Sequence, residues 1–200
     1  MGKIMILNGS PRAPKSNSRQ YAEIFIKHCK APAEYFAVSK TNHAALCERL
    51  SDCQELLLVF PLYADSLPSG LLAFLKYLEA HPPVRKPVIS VLINCGFLEP
   101  QQNDTALRII QFFCRKNGYR TGSTLSLGSG EAILRTPFRY MAIRAIKQLA
   151  RSMATGNYRS IQTTMPLCKR IFIWASTRYW IGYGKKFNVS REQMKTTEIE

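Results

Sequence analysis

The sequence predicts an α/β fold, a parallel sheet flanked by helices on both faces. Three observations carry this. Short apolar runs alternate with helix-length segments through about residue 156. The run at 56–60, Leu-Leu-Leu-Val-Phe, is continuously apolar and closed by Pro61, as in a central strand buried on both faces. Residues 3–18 pass from an apolar run through a Gly/Ser loop into a helix start, the outline of a βα unit.

The elements follow in order. The first strand covers 3–8, and a helix covers 17–30, stopped near Pro32. A weaker strand at 33–38 precedes a helix at 43–51. After the buried strand at 56–60, a helix starts beyond Pro68 and ends before Pro82-Pro83. The fourth strand is 88–94, and a helix at 104–116 ends just before Gly118. The fifth strand, 121–127, runs into Gly128-Ser129-Gly130. A helix at 138–154 has Pro137 at its start and Gly156 at its stop. Residues 156–164 read as a linker and 166–183 as a further helix, rich in aromatic and basic residues. Ser190, three residues before Gln193, suggests a capping box for a short terminal helix.

In the first βα unit, backbone N–H groups at a helix start form a ready anion site. Ser10, Ser16, Ser18, Asn17 and Arg12 can add side-chain donors. No G-x-x-x-x-G-K-[ST] and no G-x-G-x-x-G occurs, which argues against a nucleoside triphosphate or a dinucleotide there. A ligand with one phosphate fits better.

The chain has 200 residues, 28 Lys/Arg, 13 Asp/Glu and 46% hydrophobic residues, which suit one globular domain of ordinary size or one domain with an appendage. The charge is lopsided. Residues 132–191 hold twelve Lys/Arg and no acidic residue, which implies an anionic partner or a solvated basic face. No recognised nucleic-acid motif occurs, so a nucleic-acid partner is not expected. No secretory signal or membrane-spanning run is visible, and a cytoplasmic protein is expected. The six cysteines form no C-x-x-C pair and the three histidines no ligand spacing, so no metal site is signalled.

The loop Gly9-Ser10-Pro11-Arg12 followed by Ser16-Asn17-Ser18 resembles the phosphate loop of the flavodoxin-like NAD(P)H-dependent FMN reductases. Pro61-Leu62-Tyr63, then Ser66-Leu67-Pro68 and an amphipathic helix, resembles a second segment of that family. Asn94-Cys95-Gly96-Phe97 with Glu99 is similar to the fourth-strand loop of a bacterial subgroup. The resemblance covers about residues 3–156. It implies a flavodoxin-like five-stranded parallel sheet of order 2-1-3-4-5, with its ligand beyond the carboxyl ends of the strands. The expected division is a flavodoxin-like FMN-binding domain at 1–156 and a basic helical C-terminal extension at 157–200. Iron–sulfur members of the group carry a compact cysteine cluster between the second and third strands. Here that interval has only Cys47 and Cys53, so no cluster is expected.

The implied activity is hydride transfer from NAD(P)H through FMN to a quinone, flavin or other small acceptor. The expected flavin contacts are Ser10, Arg12, Ser16, Asn17 and Ser18 at the phosphate, and Pro61, Leu62, Tyr63, Ala64, Ser66, Asn94, Cys95, Gly96 and Phe97 at the ring. Asp65 and Glu131 could bond ribityl or ring groups, or simply face solvent. Cys95 suits packing better than reactivity, because nothing nearby depresses a thiol pKa. No side-chain acid or base is expected. The alternatives are an electron-transfer flavodoxin without nicotinamide activity, and a flavin-free protein that binds through its basic C-terminal segment. The aromatic 166–183 helix is too apolar to stand free in water. It is expected at the contact of a homodimer, ahead of docking on its own subunit and of an anionic membrane surface.

Overall fold

The computed structural model describes residues 2–195. Its six-stranded sheet has the order β2-β1-β3-β4-β5-β6, with every neighbouring pair parallel. The strands are β1 (Ile4–Asn8), β2 (Ala33–Ala37), β3 (Glu55–Pro61), β4 (Val88–Asn94), β5 (Thr121–Leu127) and β6 (Ser160–Thr163). The α-helices are α1 (Asn17–His28), α2 (His43–Leu50), α3 (Ser69–Ala80), α4 (Asp104–Lys116), α5 (Arg139–Thr155) and α6 (Lys169–Lys185).

The sheet is covered on both sides because its central strands are apolar on both. Met5, Leu7, Leu56, Leu58, Phe60, Val91 and Ile93 belong to one core, packed against buried residues of α2, α3 and α4. Their alternates Ile4, Ile6, Leu57, Val59 and Leu92 are equally buried. Successive side chains in a strand point to opposite faces, so the alternates occupy the other side. There α1 and α5 pack on each other and on the sheet.

The five expected strands all form, and a sixth adds to them. It lies inside the stretch read as a linker. Ser-Ile-Gln-Thr is short and half polar, with exposed and half-buried residues alternating. Nothing in its own sequence announces a strand. It pairs because α5 returns the chain beside β5, whose free edge offers hydrogen-bonding groups to Ser160–Thr163. The chain divides into two compact units, with the boundary between Met165 and Pro166.

In the second unit, α6 forms where a helix was expected, over Lys169–Lys185. The capping box is also present. The Gln193 N–H donates to Ser190 Oγ at 3.1 Å, and the Ser190 N–H donates to Gln193 Oε1 at 2.8 Å. The helix that follows is a single 3-10 turn, Gln193–Lys195.

Candidate active site

Two asparagines at strand ends organise the site. Asn8 closes β1 and is fully buried. Its Nδ2 donates to Ser16 Oγ at 3.2 Å and to Tyr35 Oη at 2.9 Å, while Oδ1 accepts the Ser10 N–H at 2.9 Å. Asn94 closes β4. Its Nδ2 donates to Ser18 Oγ at 3.2 Å and to the Phe60 carbonyl at 3.1 Å. The start of α1 is therefore pinned to the carboxyl ends of β1, β3 and β4.

The loop between β1 and α1 folds as a 3-10 turn, Ala13–Lys15, before the helix begins. Ser16 is the N-cap of α1, with Oγ accepting the Arg19 N–H at 3.1 Å. The Asn17 and Ser18 amides precede the helical ladder and have no carbonyl partner within it. Arg12 is exposed, and Asn17 is half-buried. Asn17 Oδ1 accepts from Gln20 Nε2 at 3.2 Å, which leaves its own Nδ2 to donate elsewhere. Ser10 Oγ accepts the Arg12 N–H at 3.3 Å and retains its proton.

The predicted serines thus divide by task. Ser16 is committed, since its Oγ accepts from Asn8 and Arg19 and donates to the Ala13 carbonyl at 3.3 Å, whereas Ser18 Oγ accepts from Asn94 and keeps its proton. Ser10, Arg12, Asn17, Ser18 and the first two helical amides keep donors for an anion. That set suits one phosphate at a helix N-terminus.

After β3 the chain makes a tight hairpin. The Tyr63 N–H donates to the Ser66 carbonyl at 3.0 Å, and the Ser66 N–H donates to that of Tyr63 at 2.9 Å. Ala64 and Asp65 take φ of 45° and 55°, the left-handed pair of a type I′ turn. Pro61 and Leu62 are half-buried, and the Leu62 N–H bonds the Asn94 carbonyl at 2.8 Å, tying this loop to β4. The Tyr63 ring stands 43% exposed at its rim and Phe97 53% exposed at the rim of the β4 loop, so both offer faces to a ligand.

The β4 and β5 loops interlock. The Cys95 N–H bonds the Leu127 carbonyl at 3.0 Å, and the Gly130 N–H bonds the Cys95 carbonyl at 2.7 Å. A Cβ on Gly130 would lie 2.8 Å from that of Asn94, so only glycine allows this approach. Tyr21 of α1, fully buried, donates its hydroxyl to the Gly130 carbonyl at 2.6 Å. Burial pushes that phenol pKa up and keeps it protonated. Burial also pushes the Cys95 thiol up, which fits a packing role. Gly96 is exposed, and the Glu131 carboxyl lies 3.6 Å from where its Cβ would be, so Glu131 reaches over this loop.

Sequence reasoning missed Asn8, Tyr21 and Tyr35 as organisers. For Asn8 a signal existed, since a polar residue at the end of an apolar run must find buried partners. Tyr21 and Tyr35 carried none, because their partners lie far along the chain. His43 packs between Phe74 and Tyr77 at ring separations of 5.8 and 5.9 Å. No group of three or more His, Cys, Asp or Glu able to hold a metal occurs among the described residues.

The order β2-β1-β3-β4-β5 places the β1 and β3 loops at the point where the strand sequence reverses direction, where open α/β sheets bind ligands. Solved structures share the arrangement. A flavodoxin from Streptococcus pneumonia TIGR4 aligns with a TM-score of 0.59 at 12% identity, over 78% of this chain and 99% of that one.

The chain has the flavodoxin-like fold.

Two further flavodoxin-like matches are enzymes. An NAD(P)H:quinone oxidoreductase from Methanothermobacter marburgensis aligns with a TM-score of 0.59 at 15% identity, over 76% of this chain and 97% of that one. An FMN-dependent NADH-azoreductase from Bacillus anthracis, solved with FMN, aligns at 0.57 and 13% identity, over 77% of this chain and 100% of that one. No protein-family model matches the chain, and no curated protein does.

Proposed function

We propose that the chain is an FMN-binding oxidoreductase that takes a hydride from NAD(P)H and passes electrons to a quinone, a flavin or another small acceptor. The observation that carries this is the α1 start, clamped by Asn8 and Asn94 at the switch point with donors left for one phosphate. Bound there, FMN would supply the redox chemistry through its ring. The protein's part is to hold and orient. Ser10, Arg12, Asn17, Ser18 and the amides of Asn17 and Ser18 would take the phosphate. Tyr63 and Phe97 would flank the ring. N–H groups of the 64–66 and 95–97 turns would face the carbonyl side, where charge grows on reduction. The six free thiols fit a cytoplasmic setting.

The similarity to quinone oxidoreductase and azoreductase structures supports an enzyme. The similarity to a flavodoxin supports a pure electron carrier as the second reading. The net charge of +15 favours the enzyme, because the flavodoxins this fold resembles usually meet partners through an acidic face.

The test is spectroscopic. Purified protein incubated with FMN and desalted should keep a flavin absorption band. Under anaerobic conditions that band should bleach on adding NADPH or NADH. Retention without bleaching would favour the carrier, and a colourless protein would end the flavin reading.

A further inference from the structure

The end of β6 is laced into the loop that carries Phe97. Thr164, the residue after the strand, donates its Oγ1 proton to the Leu98 carbonyl at 2.6 Å. A carbonyl can only accept, so the single Thr164 proton goes there. The 3.0 Å contact between the Thr164 and Ser129 hydroxyls is therefore donated by Ser129. Ser129 is buried at a φ of 55°, a left-handed conformation that a residue other than glycine holds only when its surroundings over-determine it. Its N–H donates in turn to the Phe97 carbonyl. One hydroxyl at the end of β6 thus reaches two successive carbonyls of the β4 loop, Leu98 directly and Phe97 through Ser129.

Thr164 is itself fixed on both sides. The Thr163 carbonyl accepts the Gly128 N–H at 2.9 Å, and Met165 is buried. The fit is close. A Cβ on Gly128 would lie 2.6 Å from the Leu98 carbonyl oxygen and 2.8 Å from Thr164 Oγ1.

These bonds decide which way the β4 loop faces. In a trans peptide the C=O and the following N–H point in opposite directions. The Cys95 and Phe97 carbonyls both turn to the β5 loop, where Gly130 and Ser129 donate to them. The Gly96 and Leu98 amides therefore turn the other way, toward the side of β3. There the Tyr63–Ser66 hairpin has closed on itself, and neither amide has an acceptor among the described residues. Phe97 is 53% exposed, so its backbone fixes it more than packing does.

We infer that Thr164 and Ser129 are positioning residues for the flavin ring, holding the Phe97 face and the Gly96 and Leu98 amides toward the gap between the β3 and β4 loops. The inference rests on the flavin reading. It makes the end of β6, in a stretch that reads as linker, a supporting part of the ring site.

Thr164→Val keeps the shape and removes the hydroxyl. It should weaken FMN and riboflavin by the same factor, about tenfold, because the loop meets the ring they share. Thr164→Ser, which keeps the hydroxyl, should restore both affinities. Ser129→Ala, which cuts only the bond to Thr164, should weaken both by about threefold. In double-mutant cycles, Thr164→Val should be non-additive with Phe97→Ala and additive with Arg12→Ala. A loss of stability alone would produce no such difference. Without flavin, Thr164→Val should speed hydrogen exchange at the Ser129 amide. If the unaltered protein keeps FMN and Thr164→Val binds both flavins equally well, the inference is overturned and the flavin reading stands. Faster exchange at Ser129 with both affinities intact would overturn it too, confining these bonds to the sheet edge. If Thr164→Val does not fold, Ser129→Ala decides, and affinities equal to those of the parent overturn the inference. Failure of the unaltered protein to keep either flavin would end the flavin reading itself, and the positioning role with it.

Discussion

Arg12 and Asn17 carry the sharpest test of the phosphate position, because their side chains keep donors after the local bonds are counted. Arg12→Ala or Asn17→Ala should weaken FMN by about 1–2 kcal/mol, as for a lost charge-assisted hydrogen bond. Riboflavin, which has no phosphate, should be much less affected. Parallel fluorescence titrations with the two ligands decide it, and equal losses would move the phosphate elsewhere. Asn94 is different in kind. Its amide joins β4 to both Ser18 and Phe60 in a buried setting. Asn94→Ala should cost roughly 1–3 kcal/mol of stability and loosen FMN and riboflavin alike. Urea unfolding alongside both titrations separates that pattern from the one expected at Arg12.

The type I′ turn after β3 is the element that spends backbone energy on the site. Ala64 and Asp65 both sit at positive φ without being glycine or asparagine. A left-handed alanine costs roughly 1–2 kcal/mol, and a glycine in its place gives back about 0.4–1 in unfolded-chain entropy. Ala64→Gly should therefore stabilise the fold by on the order of 0.5–1 kcal/mol, read as a higher urea midpoint. If the strain serves to hold Tyr63 and the turn amides in place, the same variant should bind flavin less tightly. The edge strand β6 makes a second test at this scale. Removing everything after residue 165 leaves β6 paired with β5, and this truncated chain should fold and retain FMN. Ending the chain at 156 removes β6 and Met165, a buried residue, and leaves the edge of β5 open. That shorter chain should aggregate. Size-exclusion chromatography of the two truncations checks both outcomes.

Across the molecule, buried phenols set the behaviour in alkali. Burial pushes Tyr119 and Tyr158 up to about 12, with the hydrogen bond from Tyr158 to Glu55 adding to the second, and Tyr21 is raised as well. An unfolded chain releases these protons near pH 10, whereas the folded protein keeps them to about pH 12. Stability should therefore be unaffected by these groups below pH 10 and fall as the pH rises from there toward 12. Tyrosinate absorbance should show part of the nine tyrosines titrating late, in step with unfolding. Tyr158→Phe should flatten the loss. An unchanged slope would show that Tyr158 is not held as described.

The sequence by itself determined the five βα units, their boundaries to within a few residues, and the loops that meet at the switch point. It could do so because these features are local. The buried run Leu56–Phe60 is legible from apolar continuity, and the α1 start from a serine at the right offset after a strand. Only the tertiary structure decided which serines remain for a ligand. Ser16 is committed to Asn8 and the Ala13 carbonyl, whereas Ser18 accepts from Asn94, 76 positions along the chain, and keeps its proton. Tyr21 meets Gly130 across 109 positions. Likewise β6 exists because a partner edge was waiting, since a half-polar tetrapeptide has no strand signal of its own. Pattern reasoning reads what a segment prefers, and hydrogen bonds between distant segments form only once the sheet has brought them together.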